Sequence, residues 1–339
     1  MKHAKDKEQI LMILRTPSYY DSFHCIADKC TDNCCIGWEI DIDEYTAEKY
    51  SSVKGDFGKR LSASISHENP SFITDENGRC PFLNKDNLCD IILNLGESAL
   101  CDICTNHPRY FEWFGNVKEG GIGLSCEEAA RIILTQKFSV SEREISDEET
   151  DSPDDESAFE FLYMAREKII SHLLDENVPL ASAICDVIKY ADNLENSVDS
   201  EKYVLPEIEK GQEVFSPDIK DLLCFLLTLE QLCPDWAPYI SSAVEIFSER
   251  EIFAPETDGY LRNIAVYFIW RYFMKSVYDG EISPKINLMA ISVAVLSFLF
   301  SYGGDFSVDA CSLIAKNFSK EIEYSEENLY ALLHKNFHL

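Results

Sequence analysis

Cysteines dominate the first third of the chain. Of 13 cysteines, nine lie before residue 127, and four of those fall within eleven positions. Thiolates are soft, charged donors that bind Zn²⁺ or iron–sulfur clusters, so this density indicates a metal site. The spacing is Cys-x4-Cys-x3-Cys-Cys, then Cys-x8-Cys, then Cys-x2-Cys and a last single cysteine. The nine are Cys25, Cys30, Cys34, Cys35, Cys80, Cys89, Cys101, Cys104 and Cys126.

The number of cysteines limits the kind of metal site without choosing the metal. A structural zinc ion needs four ligands, and nine thiols exceed that number. They suit either one [4Fe–4S] cluster with spare thiols or two separate centres. Unrelated core cysteines would not be grouped so tightly, and a disulfide framework is disfavoured because we find no secretory signal.

The chain lacks the sequence motifs of several enzyme classes. Radical enzymes that use S-adenosylmethionine show Cys-x3-Cys-x2-Cys, whereas here Gly37 stands at the third position after Cys30 and Cys34. Neither a P-loop nor a dinucleotide-binding glycine motif is present. A cysteine nucleophile paired with a histidine base is also disfavoured. The later cysteines lie in apolar, helix-like surroundings and are interpreted as core thiols: Cys185, Cys224, Cys233 and Cys311.

Charge and hydrophobicity restrict the partners. The chain has 60 acidic and 30 basic residues, a formal charge of −30, which argues against nucleic acid and anionic membranes and permits a basic partner. The N-terminus has no long apolar segment of the kind found in secretory signals, which predicts a cytoplasmic protein with reduced thiols. The apolar run Ile286–Phe300 is shorter than a membrane span and is predicted to be a buried helix.

The fold class is predicted to be mainly α. Residues 1–137 form a loop-rich, cysteine-rich metal domain, 138–160 an acidic linker rich in Ser and interrupted by Pro153, and 161–339 an all-α helical bundle. The helices predicted for the bundle are Phe159–Glu176, Leu180–Glu195, Pro217–Leu232, Pro238–Arg250, Gly259–Tyr278, Lys285–Tyr302, Val308–Phe318 and Ser325–Asn336.

The cysteine motifs resemble a known family. The strings CIADKCTDNCCIGWEIDID, CPFLNKDNLCDI, LGESALCDICTNHPRYF and GLSCEEAARIIL are similar to the flagellin lysine-N-methylase family. Their part of the chain is also similar to the broader zinc- or iron-chelating cysteine-rich family. YLRNIAVYFIWRYF and FSKEIEYSEENLYALL extend the resemblance through the C-terminal half. The resemblance implies an iron–sulfur cluster, favoured over zinc, and methyl transfer from S-adenosylmethionine to lysine.

The resemblance also implies which residues bind the metal. Cys101 is an extra thiol relative to the family pattern, and His107 stands where the family more often has tyrosine, so the roles of both stay open. The implied metal ligands are Cys25, Cys30, Cys34, Cys35, Cys80, Cys89, Cys104 and Cys126.

Two other residues are candidates for cofactor binding. Trp38 would shield the metal or stack on a ligand, or else pack in the core. Arg109 would neutralise a cluster or hold a carboxylate, or else form a surface salt bridge. Glu39, Asp41 and Asp43 would orient a substrate ammonium or are simply exposed charges. No catalytic residue is assigned.

Two functions from different classes follow. The first is an iron–sulfur or zinc protein that uses S-adenosylmethionine to methylate lysines of a protein such as flagellin. The alternative is a non-enzymatic metal-binding or redox-sensing protein, in which the cysteine cluster is structural and the helical domain binds a partner.

Overall fold

The computed structural model contains two compact units. We call Phe23–Tyr110 with Cys126–Glu128 the cysteine unit, and Met1–Ser22, Phe111–Ser125 and Ala129–Leu339 the helical unit. The units therefore interleave along the chain, whereas the sequence predicts boundaries near residues 137 and 161. The structure describes residues 10–37, 39–66, 69–147, 156–200, 203–246 and 252–335.

Short helices and loops make up the cysteine unit. The helices are α1 (Glu44–Ser52), α2 (Gly55–Ala63), α3 (Asp90–Leu95) and α4 (Asp102–Asn106). Helix α1 begins where Asp43 has an extended backbone and its carboxylate accepts a hydrogen bond from the Thr46 amide at 2.8 Å, which satisfies one of the free amides of the first turn.

The apolar core of the cysteine unit is small and aromatic. Phe82 packs edge-on against Phe72, with ring centroids 5.2 Å apart, and against Phe57 at 5.9 Å. Tyr50 stacks on Phe72 at 6.2 Å. Two cysteines, Cys80 and Cys101, are buried in the same core.

A four-stranded sheet belongs mainly to the helical unit. Its strands are β1 (Ile10–Pro17), β2 (Arg109–Phe114), β3 (Val117–Ile122) and β4 (Val140–Asp147), in the order β2-β3-β1-β4. Strand β1 pairs in parallel with β3, where Ile13 lies opposite Val117, and antiparallel with β4, where Leu14 lies opposite Arg143.

Strand β4 corrects the predicted acidic linker. Residues 140–147 are not a solvated linker, because they pair with β1 over its whole length, from Pro17 opposite Val140 to Ile10 opposite Asp147. The backbone hydrogen bonds of this ladder accommodate charged side chains that alternate between the two faces. The acidic composition of this segment therefore did not predict that it forms a strand. Residues 148–155 of the predicted linker lie outside the described residues.

Helices form the rest of the fold, which confirms the mainly α class. They are α5 (Glu127–Thr135), α6 (Glu156–Leu173), α7 (Leu180–Asp199), α8 (Ile219–Leu226), α9 (Trp236–Glu245), α10 (Asp258–Tyr272), α11 (Ser276–Asp279), α12 (Ser283–Gly303), α13 (Val308–Glu323) and α14 (Glu326–Leu333).

Helix α12 is the central helix of the helical unit. It contacts α7, α8, α10, α13 and α14, and its residues from Leu288 to Phe300 are buried. By length and composition it could cross a membrane, yet 78% of its apolar stretch is buried inside the structure. The prediction of a buried helix is confirmed, although the helix is longer than the apolar run suggested.

The predicted helix over Pro217–Leu232 is shorter in the structure. Helix α8 ends at Leu226, and side chains bind the amides of the following loop. The buried Glu321 carboxylate accepts hydrogen bonds from the Leu232 and Cys233 amides at 2.9 and 2.6 Å. The Asn328 side chain accepts from the Glu230 amide at 3.0 Å. These side-chain oxygens accept the hydrogen bonds that carbonyl groups would accept in a longer helix. Because Glu321 and Asn328 are far away in the chain, the local apolar pattern could not predict where the helix ends.

Candidate metal centre

The structure gathers five cysteines of the cysteine unit around one core. Two of them are buried members of the core, and three are partly buried and pack against it. Because these residues come from four separate chain segments, folding alone brings their thiols together. The five cysteines, which we call the thiol cluster, are Cys35, Cys80, Cys89, Cys101 and Cys104.

Backbone hydrogen bonds fix the segments that carry the thiol cluster. The Cys80 amide donates to the Cys35 carbonyl at 2.8 Å, next to an antiparallel bridge between Ile36 and Arg79. A second bridge joins Leu83 to Cys89 and closes the loop between Cys80 and Cys89. The Cys-Cys and Cys-x8-Cys motifs are therefore held side by side.

Side-chain hydrogen bonds link two cysteine pairs. The Cys34 and Cys35 side chains share a hydrogen bond. Both this hydrogen bond and burial raise the pKa of Cys35. The Cys101 and Cys104 side chains also share a hydrogen bond, which lowers the pKa of Cys101 and raises the pKa of Cys104. Without metal, the cluster holds protons that metal binding would release.

Burial keeps the other cluster thiols protonated as well. It raises the pKa of Cys80 to about 11 and also raises the pKa of Cys89. Such thiols are poor nucleophiles, because the thiolate is the reactive form. The cluster is therefore better suited to ligation by a metal that displaces protons than to cysteine catalysis.

Helix α1 positions the Cys101–Cys104 turn. The second oxygen of the Asp43 carboxylate accepts a hydrogen bond from the Asp102 amide at 3.0 Å, while the first caps α1. The Tyr50 hydroxyl donates to the Ala99 carbonyl at 2.7 Å. Burial acts to raise the pKa of Asp43, but the bonded amides of Asp102 and Thr46 hold it below its usual range. In the structure Asp43 thus connects two chain segments.

Arg60 on α2 holds the loop between Cys80 and Cys89. Its guanidinium donates to the Pro81 carbonyl and to the Asp90 carboxylate, each at 2.6 Å. The same group lies 5.0 Å from the Phe82 ring centroid. Sequence analysis missed Arg60, because a lone arginine in an amphipathic helix gives no signal of its partners.

Glu127 binds the segment that carries Cys30. One Glu127 carboxylate oxygen accepts hydrogen bonds from the Thr31 amide at 2.8 Å and from the Cys30 thiol at 3.6 Å. Burial is the largest cause that raises the pKa of Cys30, to about 11. Cys126 precedes Glu127 in the chain, and the exposed Cys25 sulfur accepts from the Ala27 amide at 3.4 Å. Glu127 was not predicted, although its place beside Cys126 was a usable signal.

The remaining predicted residues have mixed outcomes. Trp38 lies outside the described residues. The Arg109 guanidinium lies 5.2 Å from the centroid of the Phe23 ring. Cys101, whose role was open, is fully buried in the thiol cluster. His107 ends α4 as its C-cap residue.

The donors fit a metal by chemistry but are not arranged as a finished coordination shell. Across the described ranges, no three or more His, Cys, Asp or Glu side chains are placed to hold a metal ion. The gathered thiols suit a thiophilic metal such as iron in a cluster or zinc. Their side chains would have to rotate toward a common centre to bind one. Metal ligation therefore stays a prediction.

The C-terminal half matches a known family. The family described as FliB lysine N-methylase C-terminal domain matches residues 166–337, which lie within the helical unit. This chain belongs to the FliB lysine N-methylase family. The match covers half of the chain, and the sequence resemblance to this family is confirmed.

Curated relatives agree with this membership. A flagellar biosynthetic protein FliU of Salmonella muenchen is 31% identical over 126 residues, which cover 35% of this chain and 75% of that protein. Proteins named lysine-N-methylase in Salmonella typhimurium and Salmonella choleraesuis are also 31% identical over 126 residues. The match spans only 31% of the length of these lysine-N-methylases. No solved structure gives a significant match.

Proposed function

We propose that this FliB-family chain is a protein lysine N-methyltransferase that acts on a flagellin-like substrate in the reducing cytoplasm. The observation that carries the proposal is the family match of the helical unit over residues 166–337. The names of the relatives point to the same reaction, lysine N-methylation, and to a flagellar setting. The formal charge of −30 suits a substrate that presents lysines, because opposite charges steer encounter.

We further propose that the cysteine unit holds an iron–sulfur cluster, in preference to zinc. The thiol cluster would supply the ligands, with Asp43 and Arg60 holding the segments that carry them. When bound, such a cluster would cross-link the chain segments that carry its thiolate ligands and could supply redox or Lewis-acid chemistry there. Five thiols exceed the four that one cluster needs, so one thiol of the set would be dispensable.

Methyl transfer requires a site that receives the substrate lysine in its neutral form. S-adenosylmethionine is the proposed methyl donor, and its sulfonium loses the methyl group that the lysine nitrogen gains. Lysine must first lose a proton, because its ordinary pKa is about 10.4 and the ammonium has no lone pair. The site that receives it must therefore remove water from the ammonium and lower that pKa.

Metal analysis tests the cluster. Anaerobically purified protein should contain iron and sulfide and absorb broadly in the visible region. Cys80→Ala and Cys104→Ala should lose most of the metal. Cys311→Ala is the control, because Cys311 is buried as Cys80 is but lies on α13 in the helical unit. Zinc in place of iron would overturn the cluster, and unchanged metal content in both cluster variants would overturn the ligand set.

Activity tests the reaction separately. Purified chain, flagellin and S-adenosylmethionine labelled on the methyl group should give labelled lysine in flagellin, identified by mass spectrometry. Flagellin with its surface lysines changed to arginine is the control and should stay unlabelled. Metal-replete protein that binds S-adenosylmethionine yet labels no lysine in any flagellin would contradict the proposed function.

A further inference from the structure

A lysine of the chain rests on two aromatic rings of the hairpin formed by β2 and β3. The Lys118 ammonium lies 4.5 Å from the ring centroid of Phe111 and 4.5 Å from that of Trp113. Both distances are within the range at which an ammonium is attracted by the electron-rich face of an aromatic ring. We call Phe111 and Trp113 the ring pair.

The hairpin is shaped to hold the ring pair in place. A Cβ at Gly120 would lie 2.9 Å from a ring carbon of Phe111, so only glycine leaves room for this ring. Tyr20 packs edge-on against Phe111, with centroids 6.4 Å apart. Tyr278 donates from its hydroxyl to the Trp113 carbonyl at 2.5 Å, which anchors the strand that carries both rings. The Phe111 ring and the backbone of Trp113 are therefore held by contacts other than Lys118.

Trp113 also carries an unused donor. Its indole Nε1 is buried, and the described part of the chain offers it no hydrogen-bond partner. A buried donor without an acceptor costs free energy unless a ligand or water supplies one. Lys118 cannot supply the acceptor, because its ammonium has only donors.

We propose that the ring pair is a binding site for a methylated lysine side chain and that Lys118 is its internal occupant. Aromatic faces recognise quaternary ammonium groups well, because methyl groups reduce hydration while the charge remains. An Nε-methylated lysine would therefore replace Lys118 on the rings. The choice of methyllysine as ligand rests on the proposed methyltransferase function, whereas the affinity of the rings for a cation does not.

Binding of a small probe tests the proposal without turnover. Nε-trimethyllysine is titrated into the full-length protein without S-adenosylmethionine, and binding is followed by calorimetry and ligand-observed NMR. If Lys118 covers the rings about 90% of the time, its removal should tighten binding about tenfold. Lys118→Ala should show this gain, and Lys118→Ala with Trp113→Leu should lose it. Unmethylated lysine should bind Lys118→Ala more weakly than trimethyllysine.

Controls separate the proposal from its competitors. Lys335→Ala removes a lysine that lies over the Phe225 ring, 4.9 Å from its centroid and away from the ring pair, and should leave binding unchanged. If Lys118 serves only to stabilise the hairpin, Lys118→Ala will bind no better than the unmodified protein, and the proposal is wrong. Binding that survives Trp113→Leu also overturns it. Because no methyl donor is present, failure here leaves the proposed enzymatic reaction untouched, and the reverse also holds.

Discussion

The two units of the molecule fill their interiors in different ways. In the helical unit, α12 buries an almost unbroken apolar surface among other helices. The helical unit also contains a buried ion pair, that of Arg166 with Glu119. In the cysteine unit, thiols occupy positions in a small core beside Tyr50, Phe72 and Phe82. Buried thiols behave as small hydrophobic groups, so each cysteine there contributes less burial than a leucine would.

The difference teaches what each unit needs in order to stay folded. The helical unit buries a large apolar core, including most of α12, and this burial favours its folded state. The cysteine unit combines a small core with short helices, a combination that in other proteins is stabilised by a structural metal. The comparison therefore predicts that the two units lose different amounts of stability when a metal, a buried charge, a helix cap or an exposed ion pair is removed.

Removal of the proposed metal should have the largest effect. Structural metal sites contribute on the order of 10 kcal/mol, so chelation should unfold the cysteine unit and accelerate amide exchange in Glu44–Ser52 roughly 100-fold or more. Exchange in Ser283–Gly303 should not change. Hydrogen exchange with mass spectrometry, before and after chelator, measures both. Equal protection of Glu44–Ser52 in the two states would show that the thiol cluster stabilises the unit by packing alone.

The next largest effect should follow from breaking the buried ion pair. Both terminal nitrogens of Arg166 donate to the Glu119 carboxylate at 2.6 Å, and both side chains are buried. Arg166→Met leaves Glu119 without its partner and should lower the free energy of unfolding by about 3–5 kcal/mol. Urea unfolding followed by circular dichroism measures the loss.

A double variant shows whether charge or packing causes that loss. Arg166 also lies 4.4 Å from the Trp270 ring centroid, so its removal disturbs packing as well as charge. Arg166→Met combined with Glu119→Leu removes both charges and should recover most of the stability. If the double variant is no more stable than Arg166→Met, the loss comes from packing against Trp270.

Sequence predicted most of the helical unit because its signals are local. Apolar residues at helical spacing placed the helices around α6, α7, α12 and α13. The predicted helix that starts at Ser325 is also present as α14, which Ser325 caps by accepting a hydrogen bond from the Asn328 amide. Strands β1 and β4 were missed, because their pairing depends on residues far apart in the chain. A charged strand such as β4 has no composition that distinguishes it from a linker.

The candidate site was predictable in type and not in arrangement. The cysteine motifs identified the thiols, but spacing could not show that Cys101 joins the cluster while Cys30 lies beside Glu127. Nor could it show that Asp43, considered as a partner for a substrate ammonium, binds two backbone amides. Such contacts form between segments brought together only by folding, so no local pattern records them.

Removing Asp43 should have a moderate effect on the cysteine unit. Asp43→Ala deletes the cap of α1 and the bond to the Asp102 amide, which together should cost about 1–2 kcal/mol. Asp43→Asn keeps an acceptor and should lose less. Asp41→Ala, at an exposed neighbouring position, should change stability by less than about 0.5 kcal/mol. Chemical unfolding of the three variants, followed by tyrosine fluorescence, gives the loss in unfolding free energy for each. A loss for Asp41→Ala equal to that for Asp43→Ala would contradict the capping role.

The smallest effect should come from an exposed ion pair of the cysteine unit. Lys59 and Asp56 on α2 approach to 2.9 Å, nearly as close as Arg166 and Glu119, but their side chains are 81% and 98% exposed. Water screens the attraction, and ordering two mobile side chains opposes it, so Lys59→Met should change the unfolding free energy by no more than about 0.5 kcal/mol. The same urea titration should give a larger change for this pair in low salt than in high salt. A loss comparable to that of Arg166→Met would mean that distance, and not burial, decides the strength of an ion pair in this molecule.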